Sequence, residues 1–534
     1  MSDNGATPGA TVEAEAPPAL SHRQIMVIFS GLMLGMFLAA LDQTIVATAL
    51  PRITDDLGGL DHLSWVVTAY LLASTVSTPL YGKLGDLFGR KKLYQGAIVI
   101  FFVGSVCSGL AQDMAQLIAA RAVQGLGAGG LIVLAQALIG DTVSPRERGR
   151  YMGYFGAVFG FSSVAGPLLG GFLTDNLSWR WVFYVNVPIA IAAFAVTGAV
   201  LPKGHRVGNP RIDYVGSAIL VAAVSCLVLW ATWGGTEYAW DSPTIVGLGL
   251  AALVLLGVLV VVERRVAEPV IPVHLFSVRS FNVVITVSFI VGAAMFGAIS
   301  FLPLFLQVVT GASATNSGLL LLPLMLGLLT ASTGSGQIIS RTGRYKFFPL
   351  LGTALATLAM FLLASMGPDT TGGTVALYMV ILGAGLGFTM QTLILAVQNA
   401  VGPGDMGVAT SSATFFRSMG GSLGVALFGA LFNARLSDNL GTTTAVGESG
   451  SSSVIDALEG LTAAQRTFVE TGFADAITSV FLYGVPLLLV AFGVTWFLSE
   501  VPLRSSTHAV DHGREMAAGS APGTAEPEVV SVLH

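Results

Sequence analysis

The sequence Gly82-Lys83-Leu84-Gly85-Asp86-Leu87-Phe88-Gly89-Arg90-Lys91-Lys92 separates two long apolar runs, 63–81 and 93–112. Only a tight loop fits between these runs, and we expect Gly82, Gly85 and Gly89 to supply its turn conformations. Asp86 is placed to cap the next helix or to hold a basic neighbour, and Arg90 lies one helical turn beyond it. Consecutive cations at a membrane edge mark the cytoplasmic side. We therefore predict a conformational latch there, formed by Gly82, Asp86, Gly89, Arg90 and Lys91.

The composition predicts an all-α polytopic membrane protein. The chain has 534 residues, of which 53% are hydrophobic and 10% charged, with a mean hydropathy of +0.77. Soluble proteins carry about 25% charged residues, and about 20 apolar residues cross a bilayer. Fourteen runs qualify, or twelve if the pair at 213–263 lay on the surface. They are 24–49, 62–81, 93–112, 115–140, 150–173, 181–201, 213–233, 243–263, 281–309, 316–339, 347–366, 374–399, 407–433 and 474–498.

The distribution of positive charge predicts the orientation of these spans. Nineteen of the 25 Lys and Arg residues fall in segments on one side of the predicted membrane. Positive residues concentrate on the cytoplasmic side, so both termini are expected there, in a multi-pass plasma-membrane protein. The segments 1–23 and 500–534 are expected to be disordered tails.

A repeat divides the chain. Residues 336–346 echo residues 82–92, each copy follows the second span of its half, and Ser340 stands where Asp86 stands in the first copy. Repeated halves place a substrate path at their interface. We predict an N-terminal six-helix half at 24–201, two extra helices with linkers at 202–280, and a C-terminal half at 281–499 that contains an outer segment at 433–472. The end of that segment, from Leu461, is predicted to extend the last span outward as a helix.

Four further stretches carry a family resemblance. They are Leu41–Pro51 in the first span, Arg121–Gly127 in the fourth, Gly156–Gly171 in the fifth and Ser178–Pro188 before the sixth. With the latch segment, they resemble the major facilitator superfamily, in its fourteen-helix drug:proton antiporter branch of the EmrB/QacA type. The resemblance implies a major facilitator fold and proton-coupled export of amphipathic or hydrophobic small molecules, such as drugs and antibiotics, by alternating access. It also implies that the fourth-span motif couples transport to protons.

Asp42 is the one acidic residue well inside a span, and a carboxylate at that depth is a functional candidate. Arg121 lies at the same depth, because Asp42 precedes the outer end of its span by about 10 Å and Arg121 follows the outer start of its span by about 10 Å. We predict that Asp42 carries the proton, that Arg121 is its electrostatic partner and that Gln124 relays or orients. The alternatives are a static ion pair, an Asp42 that faces water and an Arg121 that snorkels to the headgroups.

The fifth span carries glycines at four-residue spacing, which lines one helix face and lets another backbone approach. The resemblance assigns these positions to the antiporter motif: Gly156, Gly160, Gly166, Pro167, Gly170 and Gly171. Pro167 removes a helix hydrogen bond and favours a kink. Ordinary close packing, without any bearing on the direction of transport, is the alternative.

The candidate substrate cavity is predicted from polar and aromatic residues within spans. They are Trp65, Tyr70, Phe296, Phe301, Phe305, Gln391 and Arg417. Aromatic residues at helical spacing also form cores, Gln391 and Gln398 could bridge helices, and Arg417 could bind helix carbonyls instead of an anionic group. The spans at 281–433 contain no acidic residue, so a preference for dications is not expected.

Other function classes have little support in the sequence. The seven His residues lie in loops, span edges or tails, and neither HExxH nor a GK[ST] phosphate loop occurs. GxSxG occurs once, at Gly420–Gly424, but inside the predicted span 407–433 and not at a turn between a strand and a helix. We expect no enzyme, no cofactor other than the proton as coupling ion, no nucleic-acid partner and a monomer in the lipid bilayer. Cys107 and Cys226 are expected to be small core residues. Export of a lipid or endogenous metabolite, or a transporter-like membrane sensor, are the alternatives.

Overall fold

A computed structural model describes residues 22–58, 62–201, 212–235, 237–266, 268–310, 320–440 and 463–503, and every structural statement below concerns these ranges. The predicted tails lie almost entirely outside them. So do nearly all of the linker 202–212 and the central part of the predicted outer segment.

The described residues form fourteen long helices, if α6 and α7 are counted as one interrupted span. The helices are α1 (His22–Leu57), α2 (Leu63–Phe88), α3 (Arg90–Leu110), α4 (Met114–Thr142), α5 (Pro145–Asn176), α6 (Trp181–Tyr184), α7 (Asn186–Val200), α8 (Tyr214–Trp233), α9 (Pro243–Glu263), α10 (Arg279–Val308), α11 (Leu322–Thr342), α12 (Phe347–Ala364), α13 (Gly372–Ala400), α14 (Met406–Leu440) and α15 (Ala463–Thr495). Two short 3-10 helices, Val273–Ser277 and Pro403–Asp405, precede α10 and α14.

Local sequence explains where several helices begin. Asp113 and Ser144 accept the backbone N–H groups of Gln116 and Glu147 at the starts of α4 and α5. Asp213 caps α8 in the same way. These side-chain oxygens satisfy N–H groups that have no partner inside the helix.

The predicted fourteen-helix membrane fold is confirmed, with corrections to its boundaries. Thirteen of the described helices are long and apolar enough to cross a membrane. The remaining long helix, α2, is rich in Ser and Thr. The first span was predicted to end at residue 49, but α1 continues through Pro51 to Leu57. The last helix begins at Ala463, as the extension predicted from Leu461 required.

The predicted loop at residues 82–92 is wrong. Helix α2 continues to Phe88 and α3 begins at Arg90, so Gly89 alone joins them, with a φ of 89°. Gly82 and Gly85 are helical. They instead let α2 pack closely against α14 and α4, because a Cβ at Gly82 would overlap Ser411 and a Cβ at Gly85 would lie 2.9 Å from Leu134. The repeat has the same geometry, since Gly343, with a φ of 73°, ends α11.

The two cysteines were predicted to be core residues, and this is wrong. Cys107 is exposed and Cys226 is partly exposed. The side of a helix that faces lipid remains apolar without being buried in protein, so an apolar run alone does not predict burial.

The two largest apolar cores among the described residues each belong mainly to one half. One is formed mainly by α1, α3, α4, α5 and α7, and the other by α10–α15. The pair α8–α9 packs through α8 against α2 and α14, one helix from each half. An ion pair of 2.6 Å from Lys83 to Glu268 also fastens the segment after α9 to α2.

The halves meet along α5 and α11, and these helices diverge along their length. We call the side of the molecule that carries Gly89 and Gly343 the basic side. Near this side, a Cβ on Gly153 would lie 2.8 Å from the Ser332 carbonyl oxygen, whereas a Cβ on Gly160, farther along, would lie 3.7 Å from Met325. The halves are therefore in closer contact toward the basic side.

Candidate functional site

Asp42 lies at the centre of a buried polar network. Its Oδ2 accepts a hydrogen bond of 2.5 Å from Arg121 Nη1, while its Oδ1 accepts bonds of 2.7 Å from Gln124 Nε2 and 3.0 Å from Asn186 Nδ2. Asp42, Arg121, Gln124 and Asn186 are each at most 1% exposed. The network joins α1, α4 and α7. Asp42 and Arg121 were predicted to lie at the same depth, and in the structure they are in direct contact.

Arg121 has partners besides Asp42. Its Nη1 also donates to Gln124 Oε1 at 2.8 Å, and its Nε donates to the Val66 carbonyl oxygen at 3.3 Å. The guanidinium lies 4.2 Å from the centre of the Tyr70 ring, a distance at which a cation and an aromatic face attract. Arg121 is therefore held by α2 and α4 as well as by Asp42, and it does not reach to the membrane surface.

Sequence reasoning did not identify Asn186 and Ser105 as members of this network. Asn186 opens α7 directly after the interruption at Val185, and its Nδ2 also donates to Ser105 Oγ at 3.1 Å. Ser105 Oγ in turn donates to the Phe183 carbonyl oxygen at 2.8 Å. The signal in the sequence was a single amide residue within the apolar run 181–201.

The predicted latch residues contact both halves at the basic side. Asp86 Oδ1 accepts a bond of 2.6 Å from Arg90, and its two oxygens accept the backbone N–H groups of Gly407 and Val408 at 3.1 and 3.0 Å. These N–H groups open α14, where a helix attracts negative charge. Lys91 instead donates to the Gly198 carbonyl oxygen of α7, at 2.9 Å.

Asp86 lies beyond the apolar run 62–81. Burial raises its pKa to about 6, although Arg90 and the N–H group of Val408 act in the opposite direction. Arg90 also contacts Asp141 at the end of α4. The latch therefore joins α2, α3, α4 and α14.

A second polar connection between the halves lies at the same side. Arg148, fully buried, donates to Gln398 Oε1 at 3.1 Å. Gln398 Nε2 donates to Thr410 Oγ1 at 2.9 Å and to the Gln136 carbonyl oxygen at 3.3 Å. The sequence left open that Gln398 bridges helices, but it did not single out Arg148.

The glycines of the predicted antiporter motif approach two different helices. Gly156 faces Ser332 of α11 in the other half, and Gly160 lies more loosely against Met325. Gly166 and Gly170 pack against Thr44 and Thr48 of α1. Of the other two positions, Pro167 lies inside α5, which continues past it to Asn176, and a Cβ on Gly171 would meet no atom within 4 Å.

A cavity of about 830 Å³ lies between α2, α4 and α8. Its lining is mostly apolar and includes Leu72, Val76, Ile118 and Leu126, with His62 and Asp113 among the few polar residues. Of the predicted cavity residues, Trp65 lines this space. Ala122 of the lining is the neighbour of Arg121 in α4, so the cavity and the Asp42 network lie on adjacent faces of that helix.

The other predicted cavity residues lie elsewhere. Tyr70, Phe301 and Phe305 are buried, and Tyr70 donates to the Ala39 carbonyl oxygen at 3.1 Å. Phe301 and Phe305 belong to the core of the C-terminal half. Gln391 is buried within α13, while Arg417 is partly exposed within α14.

Comparisons with known proteins agree with this architecture. The Major Facilitator Superfamily profile matches residues 32–425. An uncharacterised MFS-type transporter of Mycobacterium tuberculosis is 46% identical over 504 residues, covering 93% of this chain and 73% of the relative. The multidrug transporter protein MdtP of Bacillus subtilis is 36% identical over 526 residues, covering 92% and 96%. The solved structure of the proton:xylose symporter XylE matches with a TM-score of 0.61 at 15% identity, covering 92% of this chain and 98% of that one.

Proposed function

The chain belongs to the Major Facilitator Superfamily, and from that premise we propose that it is a proton-coupled antiporter that exports amphipathic or hydrophobic small molecules. The observation that carries the proposal is the buried ion pair between Asp42 and Arg121. A paired charge inside a membrane protein is expensive and marks an ion or substrate path more often than a stabilising contact.

Protonation of Asp42 would act on one helix contact in particular. It would remove the negative charge that draws α1 to Arg121, whereas Arg121 would keep Gln124, the Val66 carbonyl oxygen and the Tyr70 ring. The cation would thus remain solvated by α2 and α4, and α1 would keep only the weaker bonds that Asp42 accepts from Gln124 and Asn186. In this mechanism the proton changes how α1 and α4 pack.

The basic side corresponds to the cytoplasmic side in this proposal, since positive residues concentrate there. The two polar connections and the α5–α11 contact would then hold the cytoplasmic side closed. Breaking them would open a path from the cytoplasm, and restoring them after substrate has bound would complete the exchange of access.

The substrate class is inferred from two sources. The cavity between α2, α4 and α8 has a mostly apolar lining and a volume within the range of small-molecule sites. The Bacillus relative carries the name of a multidrug transporter. Both favour amphipathic molecules over sugars or ions.

The test uses the purified protein in lipid vesicles under an imposed pH gradient. The methyl ester of dansylaminoundecanoic acid, a neutral fluorescent amphipath, serves as substrate, and a trapped pH dye reports proton movement. We expect wild type to move protons against the ester, and Asp42→Asn to lose this movement while it still binds the ester.

Asp56→Asn is the matched control, because Asp56 also lies in α1 and pairs with an arginine, Arg180 at 2.8 Å, but its side chain is 51% exposed. We expect it to transport normally. If Asp42→Asn unfolds at a much lower temperature, Asp42→Glu tests the role with a residue that still titrates. Full proton-coupled flux in Asp42→Asn vesicles would show that Asp42 is not the carrier.

A further inference from the structure

Arg417 occupies an unusual position in α14. It lies eleven residues after Met406, which places it about 16 Å along the helix from the basic side, near the middle of a bilayer of about 30 Å. Thr410 and Thr414, on the same face, contact Gln398 and Gln136, respectively. Arg417 follows Thr414 by three residues and lies at the edge of this face, where its backbone packs against Gly292 of α10.

Arg417 has no hydrogen bond or ion pair with any residue that the structure describes. It does not donate to helix carbonyls, which was the alternative that the sequence left open. The spans at 281–433 also carry no acidic residue that could pair with it. By contrast, Arg121 has Asp42. An arginine at this depth without a counter-charge is costly, so an anion would bind it favourably.

Gln391 lies at the same depth on the neighbouring helix. Gln398 Nε2 and Thr410 Oγ1, 2.9 Å apart, mark where the antiparallel helices α13 and α14 touch. Gln391 precedes Gln398 by seven residues and Arg417 follows Thr410 by seven, so each lies two turns, or about 10 Å, from that contact. Gln391 is 6% exposed, and its side-chain amide makes no hydrogen bond to a described residue, so its Nε2 donor is available.

We propose that Arg417 is the binding residue for an acidic group, such as a carboxylate, on the transported molecule, and that the Gln391 amide assists it. This inference rests on the proposed export of amphipathic molecules and specifies their charge. A guanidinium presents paired N–H donors that match a carboxylate, and the amide of Gln391 adds a further donor. Substrates would therefore be amphipathic acids bound with their charge near the bilayer centre.

The test measures binding, so that it does not depend on transport. Dansylaminoundecanoic acid and its methyl ester are titrated against the purified protein in phosphatidylcholine vesicles, and dansyl fluorescence gives each Kd. Wild type should bind the acid more tightly than the ester. Arg417→Met should weaken acid binding about 10- to 150-fold, the range for a lost hydrogen bond to a charged group, and leave ester binding unchanged. Arg417→Lys should lose less affinity for the acid than Arg417→Met, because lysine keeps the positive charge.

Arg435→Met is the matched control, since Arg435 lies on the same helix but is exposed and bonds to Tyr483 at 2.9 Å. Phosphatidylglycerol is then added to the vesicles to test whether the bound anion comes from a lipid. If this lipid competes with the acid for binding, the site is assigned to an anionic headgroup. Unchanged ester binding shows that the variant is folded. If Arg417→Met lost affinity equally for the acid and the ester, or lost affinity for neither, the proposal would be overturned. Proton-driven export of the ester would stand as a separate result.

Discussion

Substituting Gly153 with alanine should open the contact between the halves at the basic side. A Cβ there would lie 2.8 Å from the Ser332 carbonyl oxygen and from the Thr333 Cα, whereas ordinary contacts begin at 3.4 Å. Both atoms are backbone, so α5 and α11 must separate by about 0.6 Å, the difference between these distances. Overpacking of this kind costs about 1–3 kcal/mol. Since only the closed state has this contact, the ratio of closed to open molecules should fall about 5- to 140-fold.

The assay is a distance measurement between spin labels at the exposed positions Glu147 and Gln337, each substituted with cysteine, on the basic ends of α5 and α11. Cys107 and Cys226, which are both free, are first replaced by serine. We expect wild type to populate mainly the short distance and Gly153→Ala to populate a longer one, with slower transport.

Gly171→Ala is the control for this experiment. Gly171 lies on the same helix, but a Cβ there would meet no atom within 4 Å. Both substitutions raise helix propensity by about 1 kcal/mol, so this effect cancels in the comparison. If Gly153→Ala gives the same distances as Gly171→Ala, the α5–α11 contact does not control the opening of the basic side.

Two other predictions concern polar groups. Because Asp86 has a pKa of about 6 in the closed state and would return toward 3.8 in water, the closed state binds the proton more tightly. Its population should therefore be greatest at low pH and fall as the pH rises through about 6, and the same spin labels should show no such dependence in Asp86→Asn. Asn186→Ala removes one donor from Asp42 and should lower the free energy of unfolding by about 1–3 kcal/mol. Thermal unfolding should show this loss but almost none for the exposed Asn176→Ala, and equal midpoints would contradict it.

The sequence was sufficient to predict the fold and the contact between Asp42 and Arg121. Apolar runs of membrane length determine the helices, and the direction of each helix then determines the depth of every residue along it. Depth, however, does not specify rotation about the helix axis. Trp65 lines a cavity, whereas Tyr70, Phe301 and Phe305 are packed in protein, a difference that depth alone does not predict.

The glycine stretch was misread because glycine has two uses. Gly89 has a positive φ, which side chains resist, but Gly82 and Gly85 are helical and permit close packing. Local sequence does not separate these uses, since the second depends on a partner that is distant in the chain. The same holds for Asn186, whose contact with Asp42 spans 144 positions and depends on the interruption between α6 and α7.

Helix α7 makes a polar contact at each end, and a shift of the helix along its axis would affect both contacts. Its first residue, Asn186, bonds to Asp42, and the Gly198 carbonyl oxygen near its last turn accepts a bond from Lys91. Its fifteen residues form a rod of about 22 Å. The two ends of a stiff rod cannot shift independently along its axis. An axial displacement of α7 large enough to separate Asn186 from Asp42 would therefore also strain the bond to Lys91, two residues beyond Gly89.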